Sequence, residues 1–236
     1  MPTSNPSSRA RRRAVSAAAA RAAFLATISH EMREPLNGVL GMARLLKDTP
    51  LDAEQAGYLD AMLEAGEALL TLVNDVLDLS RIDAGRLELA PVSVALRPFL
   101  ERVLALVEPR ARQKGLTLEL VVEDAVPELV LADPARLRQV LLNLLGNAIK
   151  FTERGGLRLS VASRSRGESG ALLALELADS GIGMSEAELA RLFQPWAQAS
   201  AATGRLYGGS GLGLVVARRI VEAMGGVLRC TSRPGA

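Results

Sequence analysis

The sequence predicts an α + α/β protein, in which a helical hairpin is followed by an α/β sandwich domain. As far as Arg81, apolar residues recur at alternating steps of three and four, the pattern of helices packed in a bundle. After a boundary marked by Gly85 and Pro91, strand-like and helix-like periods alternate. We expect a disordered basic segment at residues 1–17, the hairpin at 18–88 and the α/β domain at 92–236.

The composition of the 236 residues excludes several function classes. Hydrophobic residues make up 49%, which permits a buried core, but aromatic residues make up only 3%, too few for a platform that stacks single-stranded nucleic acid. The net charge of +2 is concentrated in Arg11–Arg13, so we expect no nucleic-acid partner. No apolar run reaches the length of about 18 residues that a membrane span needs. We therefore expect a cytoplasmic protein, or the cytoplasmic core of a longer receptor.

The predicted hairpin has an apolar seam on each helix. The seam positions of the first helix are Leu25, Ile28, Met32, Pro35, Val39, Met42 and Leu46, and those of the second are Leu59, Met62, Gly66, Leu69, Val73, Val76 and Ser80. Asp52 is the expected N-cap of the second helix. Because two helices leave part of this stripe uncovered, we expect a homodimer that completes a four-helix bundle.

The single histidine of the chain, His30, falls off this seam. At helical spacing it points away from Ile28 and Met32, towards solvent. Glu31 is adjacent and can hold one ring nitrogen, and Pro35 interrupts the helix nearby. An exposed imidazole in this setting is a candidate nucleophile, and the alternative is a structural histidine without chemistry.

The elements of the α/β domain follow from the changing period. Predicted helices cover residues 96–114, 134–151, 185–193 and 211–224, and predicted strands cover residues 116–123, 129–133, 156–164, 171–179 and 226–232. Asp133 and Pro134 have the residue types of an N-cap and a first helical position. Adjacent strands with helices on one face predict a sandwich rather than a doubly wound sheet.

Polar residues in the helix "NLLGNAIK" form the first candidate site. Asn143 and Asn147 are four residues apart and share one helix face, and Lys150 follows three residues later. An amide oxygen is a suitable ligand for Mg²⁺, and a lysine ammonium suits phosphate. The alternative for these residues is a solvated helix face.

Two glycine-rich motifs follow. In "DSGIGM", Asp179 ends a strand and can accept a hydrogen bond from an amino group such as that of adenine, although this pattern is often only a turn. In "GGSGLGL", glycines lead into a helix, whose first N–H groups form an anion site. The segment between the motifs has the composition of a mobile lid. Arg205 in that segment could reach a γ-phosphate, and Phe193 and Trp196 are expected to anchor its base by hydrophobic packing.

Taken together, five stretches resemble the conserved boxes of sensor histidine kinases. "FLATISHEMREPLNGVLGMARLL" resembles the phosphoacceptor box, and "LRQVLLNLLGNAIKFTERG", "ADSGIGMS", "RLFQPWAQAS" and "RLYGGSGLGLVVARRIVEAMGG" resemble the N, G1, F and G2 boxes in the order of that family. The resemblance covers about residues 20–234. It implies an ATP-binding domain of the superfamily that includes gyrase and MutL.

The resemblance implies an ATP-dependent histidine kinase with Mg²⁺ as a cofactor. His30 would accept the γ-phosphoryl group with help from Glu31, and would pass it to an aspartate of a response-regulator receiver domain. Asn147 would bind the metal, with Asn143 close by, Lys150 would contact phosphate, and Asp179 would bind the adenine amino group. The remaining positions expected to bind the nucleotide are Phe151, Gly181, Gly183, Arg205, Gly209, Gly211, Leu212 and Gly213.

Two features depart from that family. Glu34 occupies a position where the family usually has Thr or Asn, which helps to align a water for dephosphorylation of the regulator. We expect Glu34 to make the protein a competent kinase and a weak phosphatase, unless it only adds surface charge. A final strand after "SRPGA" is also absent, so we expect a truncated domain. The alternatives to the kinase are a non-catalytic pseudokinase scaffold that binds a receiver domain and an ATPase without phosphohistidine.

Overall fold

The chain comprises two structural units, Met1–Leu87 and Glu88–Ala236. The computed structural model describes residues 31–85, 87–165, 171–197 and 211–235. The first unit is helical, and the second alternates strands with helices. The predicted class, a helical region followed by an α/β domain, is therefore confirmed. The predicted disordered segment at residues 1–17 lies outside the described residues.

Two helices make up the described part of the first unit. Residues 31–47 are helical (α1), and α2 spans Ala53–Asp83. Asp52 is the N-cap of α2, as predicted: its carboxylate accepts from the Gln55 backbone N–H at 2.8 Å, and the Gln55 side chain accepts from the Asp52 N–H at 3.1 Å. This reciprocal pair satisfies two of the N–H groups that a helix start leaves without a partner, so the second helix has a fixed beginning.

Side-chain contacts show that α1 and α2 are antiparallel. Arg33 donates to Asn74 Oδ1 at 2.7 Å, and Lys47 forms an ion pair with Asp60 at 2.7 Å. Between these pairs, the Leu40 side chain lies directly against the Cα of Gly66. From the N-terminus of α1 to its C-terminus, the contacting residues of α2 lie progressively closer to the N-terminus of α2. The two helices are therefore antiparallel, as in the predicted hairpin.

The buried positions of α1 adjoin the predicted seam instead of coinciding with it. Leu40 is 1% exposed and Ala43 is also buried, whereas Met42 is 71% exposed. Met32, Val39 and Leu46 are exposed as well. Leu40 and Ala43 therefore face α2 within the hairpin, and the predicted seam positions of α1 form an open apolar stripe on the single chain.

The second unit contains two small sheets. β1 (Val92–Ala95) pairs antiparallel with β3 (Leu129–Ala132). β4 (Gly156–Ser165) lies between β2 (Thr117–Val122), which is parallel to it, and β5 (Ala171–Asp179), which is antiparallel. The parallel pairing of β2 and β4 needs a crossover, and it includes α4 (Pro134–Phe151).

The core of this unit lies between the three-stranded sheet and its helices. On β4, Leu157, Leu159 and Val161 are buried, and they alternate with outward residues such as Arg158, which pairs with Glu119 at 2.7 Å. Helix α3 (Leu96–Gln113) and α4 supply the facing side chains. The buried helix residues of the core are Leu96, Phe99, Leu100, Val103, Val107, Ala111, Leu141, Leu145, Ala148 and Ile149.

Two further helices are present in the described residues of the unit, and the strand predictions differ from the structure at two places. Helix α5 spans Glu186–Arg191 and α6 spans Gly213–Ala223, both within predicted helices. Strand β1 was not predicted. Residues 226–232 were predicted as a strand, but they form no ladder. Residues near the C-terminus instead contact the turn after β5, through the Ser232 hydroxyl and the Gly235 N–H.

No helix within the described ranges combines the length and apolar composition needed to span a bilayer.

Candidate active site

Helix α4, which carries the predicted polar face, is fixed at its start by Asp133. The Asp133 carboxylate accepts from the N–H groups of Ala135, Arg136 and Ala90. Burial acts to raise the pKa of Asp133, but these three hydrogen bonds and the positive charge of Arg136 outweigh it and lower the pKa. Asp133 therefore remains ionised and holds the first turn of the helix.

The end of α4 is held by a lysine from the loop after α3. The Lys114 ammonium donates to the carbonyls of Ile149 at 2.8 Å, Lys150 at 3.0 Å and Thr152 at 3.4 Å. A cation at a helix C-terminus satisfies carbonyls that lack helical partners and interacts favourably with the helix dipole. Lys114 thus orients the segment that contains Lys150 and Phe151.

The polar face of α4 meets the glycine-rich start of α6. The Asn143 side chain donates to the Gly213 carbonyl at 3.0 Å, and Gly213 is the first residue of α6. Leu212, the N-cap of α6, is buried, and its own side chain makes no capping hydrogen bond. The first N–H groups of a helix can bind an anion such as phosphate.

Asn147 is half-buried one turn after Asn143. Its side-chain oxygen is a hard donor of the kind that Mg²⁺ accepts. Within the described ranges, no group of three or more His, Cys, Asp or Glu residues could hold a metal ion. The donor set therefore fits a Mg²⁺ ion held by Asn147 together with nucleotide phosphates, and it does not fit an all-protein metal site.

Lys150 is half-buried, and its ammonium lies 4.8 Å from the centre of the Phe151 ring. Burial lowers the pKa of Lys150, because a partly desolvated ammonium is less stable than one in water. A bound phosphate would restore the favourable environment of this charge, so the lysine is suited to the anionic ligand that the sequence predicts.

The turn after β5 contacts the end of α4. The Gly181 N–H donates to Asp179 Oδ1 at 2.9 Å, and the Ile182 N–H donates to the Phe151 carbonyl at 3.2 Å. The Asp179 carboxylate is exposed and can accept further hydrogen bonds. Burial and the nearby charge of Asp179 raise the pKa of the Cys230 thiol, so the C-terminal segment also lies close to this carboxylate.

Residues 232–235 hold the same turn from the other side. Ser232 Oγ accepts from the Met184 N–H at 2.9 Å, and the Gly235 N–H donates to the Ile182 carbonyl at 3.0 Å. Gly183 has a φ of 69° and packs so closely on the Arg233 carbonyl that a Cβ would overlap it. Only glycine meets both requirements. The sequence pattern did not predict these contacts.

The F-box and G2 motifs are adjacent at Gly211. This glycine has a φ of 67°, and a Cβ on it would lie 2.8 Å from the Ala197 carbonyl. Phe193 packs under the Arg218 guanidinium, 5.1 Å from the ring centre, in agreement with an anchoring role. The same prediction for Trp196 was wrong, because its side chain is 62% exposed and its φ is 63°.

The structure places several of the predicted positions of the second unit in two groups of contacts. Asn143 contacts Gly213, and Phe151, Asp179 and Gly181 meet at the turn after β5. Glu31 is exposed on α1 of the first unit. His30, Arg205 and Gly209 lie outside the described residues. Thr152, which the sequence pattern did not single out, is fully buried beside Gly181.

Two family models match the chain. Residues 132–236 match the histidine kinase-, DNA gyrase B-, and HSP90-like ATPase family, and residues 20–85 match the His Kinase A (phospho-acceptor) domain. The chain belongs to the sensor histidine kinases. The ATPase match covers α4, the turn after β5 and α6, and the phosphoacceptor match covers His30 and both helices of the hairpin. The predicted family is thereby confirmed.

Named relatives of this histidine kinase are longer proteins. It is 41% identical over 225 residues to the signal transduction histidine-protein kinase BarA of Escherichia coli. The aligned region covers 95% of this chain and 24% of BarA. It is 44% identical to the sensor histidine kinase AruS of Pseudomonas aeruginosa, covering 96% of the chain and 23% of AruS. The autoinducer 2 sensor kinase/phosphatase LuxQ of Vibrio cholerae is 40% identical, and the aligned region covers 96% of this chain and 26% of LuxQ. The chain thus spans about a quarter of each relative.

Solved structures of histidine kinases have a similar fold. Full-length ShkA in complex with AMPPNP superposes with a TM-score of 0.67 at 44% identity, covering 86% of this chain and 41% of ShkA. The Acinetobacter baumannii histidine kinase AdeS superposes with a TM-score of 0.60 at 25% identity, covering 87% and 92%.

Proposed function

We propose that this histidine kinase binds ATP in its second unit and transfers the γ-phosphoryl group to His30. The observation that carries the proposal is the Asn143–Gly213 hydrogen bond at 3.0 Å, which joins the polar face of α4 to the start of α6. On this proposal, the amide and ammonium groups of α4 and the first N–H groups of α6 bind one polyphosphate. The AMPPNP complex of the similar ShkA supports adenine nucleotide as the ligand.

Adenine is proposed to bind at the turn after β5. The Asp179 carboxylate is exposed and has accepted one hydrogen bond, from Gly181 at 2.9 Å. It can accept another from the exocyclic amino group of adenine, which guanine replaces with a carbonyl oxygen. This difference in hydrogen bonding would select ATP over GTP, because two facing acceptors repel each other.

The phosphates are proposed to lie between α4 and α6. Lys150 would neutralise part of their charge, and the first N–H groups of α6 would bind an oxygen of the chain. Asn147 and phosphate oxygens would hold Mg²⁺, which lowers the repulsion between phosphates and an incoming nucleophile. Arg205 remains a candidate contact of the γ-phosphate, and Gly209 a candidate element of the phosphate loop.

The transfer to His30 is proposed to proceed as a direct displacement. A lone pair of a ring nitrogen forms a bond with the γ-phosphorus, and the bond from that phosphorus to the bridging oxygen breaks, releasing ADP. The Glu31 carboxylate orients the ring and accepts the proton of the other ring nitrogen. Such a reaction depends mainly on positioning and charge neutralisation.

Two partners belong to the proposal. The open apolar stripe with Met32, Val39, Met42 and Leu46 would be covered by the same stripe of a second chain, which completes a four-helix bundle. The phosphoryl group would then pass from His30 to an aspartate of a response-regulator receiver domain. Relatives named as sensor kinases are consistent with a two-component partner.

Autophosphorylation is tested with γ-labelled Mg-ATP. The wild-type chain should incorporate label that is lost in acid and retained in alkali, and the H30Q variant should incorporate none. Free phosphate without labelled protein would indicate a plain ATPase, and nucleotide binding without either product would indicate a pseudokinase scaffold. Both results would contradict the proposed function.

Glu34 is proposed to make this kinase a weak phosphatase. It is exposed on α1, one turn after His30, where its negative charge would repel the phosphoaspartate of a receiver domain. Incubating a phosphorylated cognate receiver with wild type and E34N should release phosphate faster with E34N. Equal rates, or rapid release by the wild type, would contradict this part of the proposal.

A further inference from the structure

Thr152 has a buried hydroxyl group without a hydrogen-bond partner. The residue directly follows α4 and is 0% exposed. Its backbone is satisfied, because the N–H donates to the Ala148 carbonyl at 3.0 Å and the carbonyl accepts from Lys114 at 3.4 Å. Among the described residues, Thr152 Oγ1 alone is a buried side-chain polar atom with no partner. Such an atom destabilises the state in which it occurs.

The unpartnered hydroxyl lies immediately behind the proposed adenine site. A methyl group placed on Gly181 would lie 2.6 Å from Asp179 Oδ1, 2.8 Å from the Phe151 carbonyl and 3.2 Å from Thr152 Oγ1. The hydroxyl and the Asp179 carboxylate therefore border the same small space. Nothing larger than glycine can occupy position 181 between them without a shift of its neighbours.

The hydroxyl is a donor, and the Asp179 carboxylate has unused acceptor capacity. A carboxylate accepts hydrogen bonds at about four lone-pair sites, and Asp179 Oδ1 accepts one, from the Gly181 N–H, in the described structure. Valine would fill the volume of Thr152 without a buried polar atom. The hydroxyl therefore stabilises the protein only in a state that supplies a hydrogen-bond acceptor for it.

We propose that Thr152 is a positioning residue for Asp179 when adenine is bound. In the nucleotide complex the turn at Gly181 tightens, Thr152 Oγ1 donates its proton to the Asp179 carboxylate, and the carboxylate is fixed towards the exocyclic amino group of the base. The unsatisfied hydroxyl of the free protein gains a partner on binding, so it adds to nucleotide affinity. This inference rests on the proposed function, in which Asp179 binds adenine.

Calorimetric titration with Mg-ADP tests the inference on the full chain. The T152V variant, which keeps the side-chain shape, should bind about tenfold more weakly than the wild type, while its thermal midpoint is equal or higher. The T152S variant keeps the hydroxyl and should bind within about twofold of the wild type. Unchanged affinity of T152V would overturn the inference. A lower midpoint of T152V would also overturn it, because the hydroxyl would then have a partner in the free protein.

A nucleotide without the 6-amino group separates positioning from general structural support. Purine riboside 5′-diphosphate cannot donate to Asp179, so wild type and T152V should bind its Mg²⁺ complex equally. An equal loss for this nucleotide and for ADP in T152V would mean that Thr152 only supports the pocket, and would overturn the inference. A wild-type chain that binds no Mg-ADP would overturn the proposed function as well, whereas binding that T152V leaves unchanged would overturn the inference alone.

Discussion

The side chain of Asn143 and the backbone carbonyl of Gly213 are joined by a 3.0 Å hydrogen bond across 70 residues of sequence. This bond connects the polar face of α4 with the first turn of α6, and both elements contribute to the proposed phosphate site. Its geometry depends on the tertiary fold, since the two motifs are separated by β4, β5 and α5. If the proposed phosphate site is correct, this bond links the stability of the second unit to nucleotide binding.

The N143A variant should lose both stability and nucleotide affinity. Removing one part-buried hydrogen bond is expected to lower the free energy of unfolding by about 1 kcal/mol. Denaturant unfolding measures this loss, and titration with Mg-ADP should show weaker binding by the same variant. The matched control is N37A, an exposed asparagine on α1. Equal nucleotide affinity of N143A and wild type would contradict the role of this contact.

Acid should weaken the anchor at the start of α4. The folded-state pKa of Asp133 is lowered from its ordinary value of 3.8, so its contribution is present above that value and is lost as the pH falls through the lower folded pKa. The D133N variant cannot titrate, and its unfolding free energy should depend less on pH below about pH 4. Parallel acid unfolding of wild type, D133N and the exposed-residue control D124N measures the difference. Identical pH dependence in D133N and wild type would count against the anchor.

Alkaline pH should weaken nucleotide binding through Lys150. Burial lowers the pKa of this lysine from 10.5, so the folded protein loses the charge at a lower pH than an ordinary lysine does. As the pH rises through the lowered pKa, Lys150 loses its charge. The unfavourable free energy of burying that charge in the folded protein then disappears, and the proposed contact with phosphate is lost over the same pH range. The affinity for Mg-ADP of the wild type should therefore fall at a pH below the ordinary lysine pKa of 10.5.

The K150R variant supplies the control for this pH dependence, because arginine remains charged throughout the range. Its affinity for Mg-ADP should vary less with pH than that of the wild type. If both proteins lose affinity in parallel, another group is responsible and Lys150 does not contact phosphate.

The C-terminal segment should affect the adenine site through Ser232. The S232A variant removes the acceptor of the Met184 N–H, which lies at 2.9 Å from Ser232 Oγ, and should loosen the turn at residues 181–184. We expect affinity for Mg-ADP to fall about fivefold and the free energy of unfolding to fall by about 1 kcal/mol, because one part-buried hydrogen bond is lost. T231A, the adjacent exposed residue, should behave as wild type. Similar binding by S232A and T231A would contradict the coupling.

The sequence predicted most elements because local signals define them. Asp52, Asp133 and Pro134 mark the helix starts, and alternating apolar residues predict β4 and β5. Strand β1 was missed because it has only four residues and its partner β3 lies far away in sequence, so tertiary pairing determines it. Residues 226–232 have a strand-like pattern, but their observed contacts lead to the turn after β5, and a strand needs a partner as well as a pattern.

The sequence indicated the candidate site residues whose chemistry follows from their residue type. It did not indicate those whose properties depend on tertiary packing. Asn147, Lys150 and Asp179 carry functional groups that the pattern indicates. Thr152 matters because burial leaves its hydroxyl without a partner, which the sequence cannot disclose. The exposure of Trp196 likewise depends on the backbone conformation at that position, with a φ of 63°, and not on its hydrophobicity.

The most direct test of the central claim is the affinity of the chain for adenine nucleotide with and without the Asp179 carboxylate. Titration with Mg-ADP should show saturable binding by wild type and by E176Q, an exposed carboxylate control on the same strand. Binding by D179N should be weaker by at least about tenfold, because the acceptor of the adenine amino group loses its charge. Absence of binding by the wild type, or equal affinities of wild type and D179N, would contradict the account.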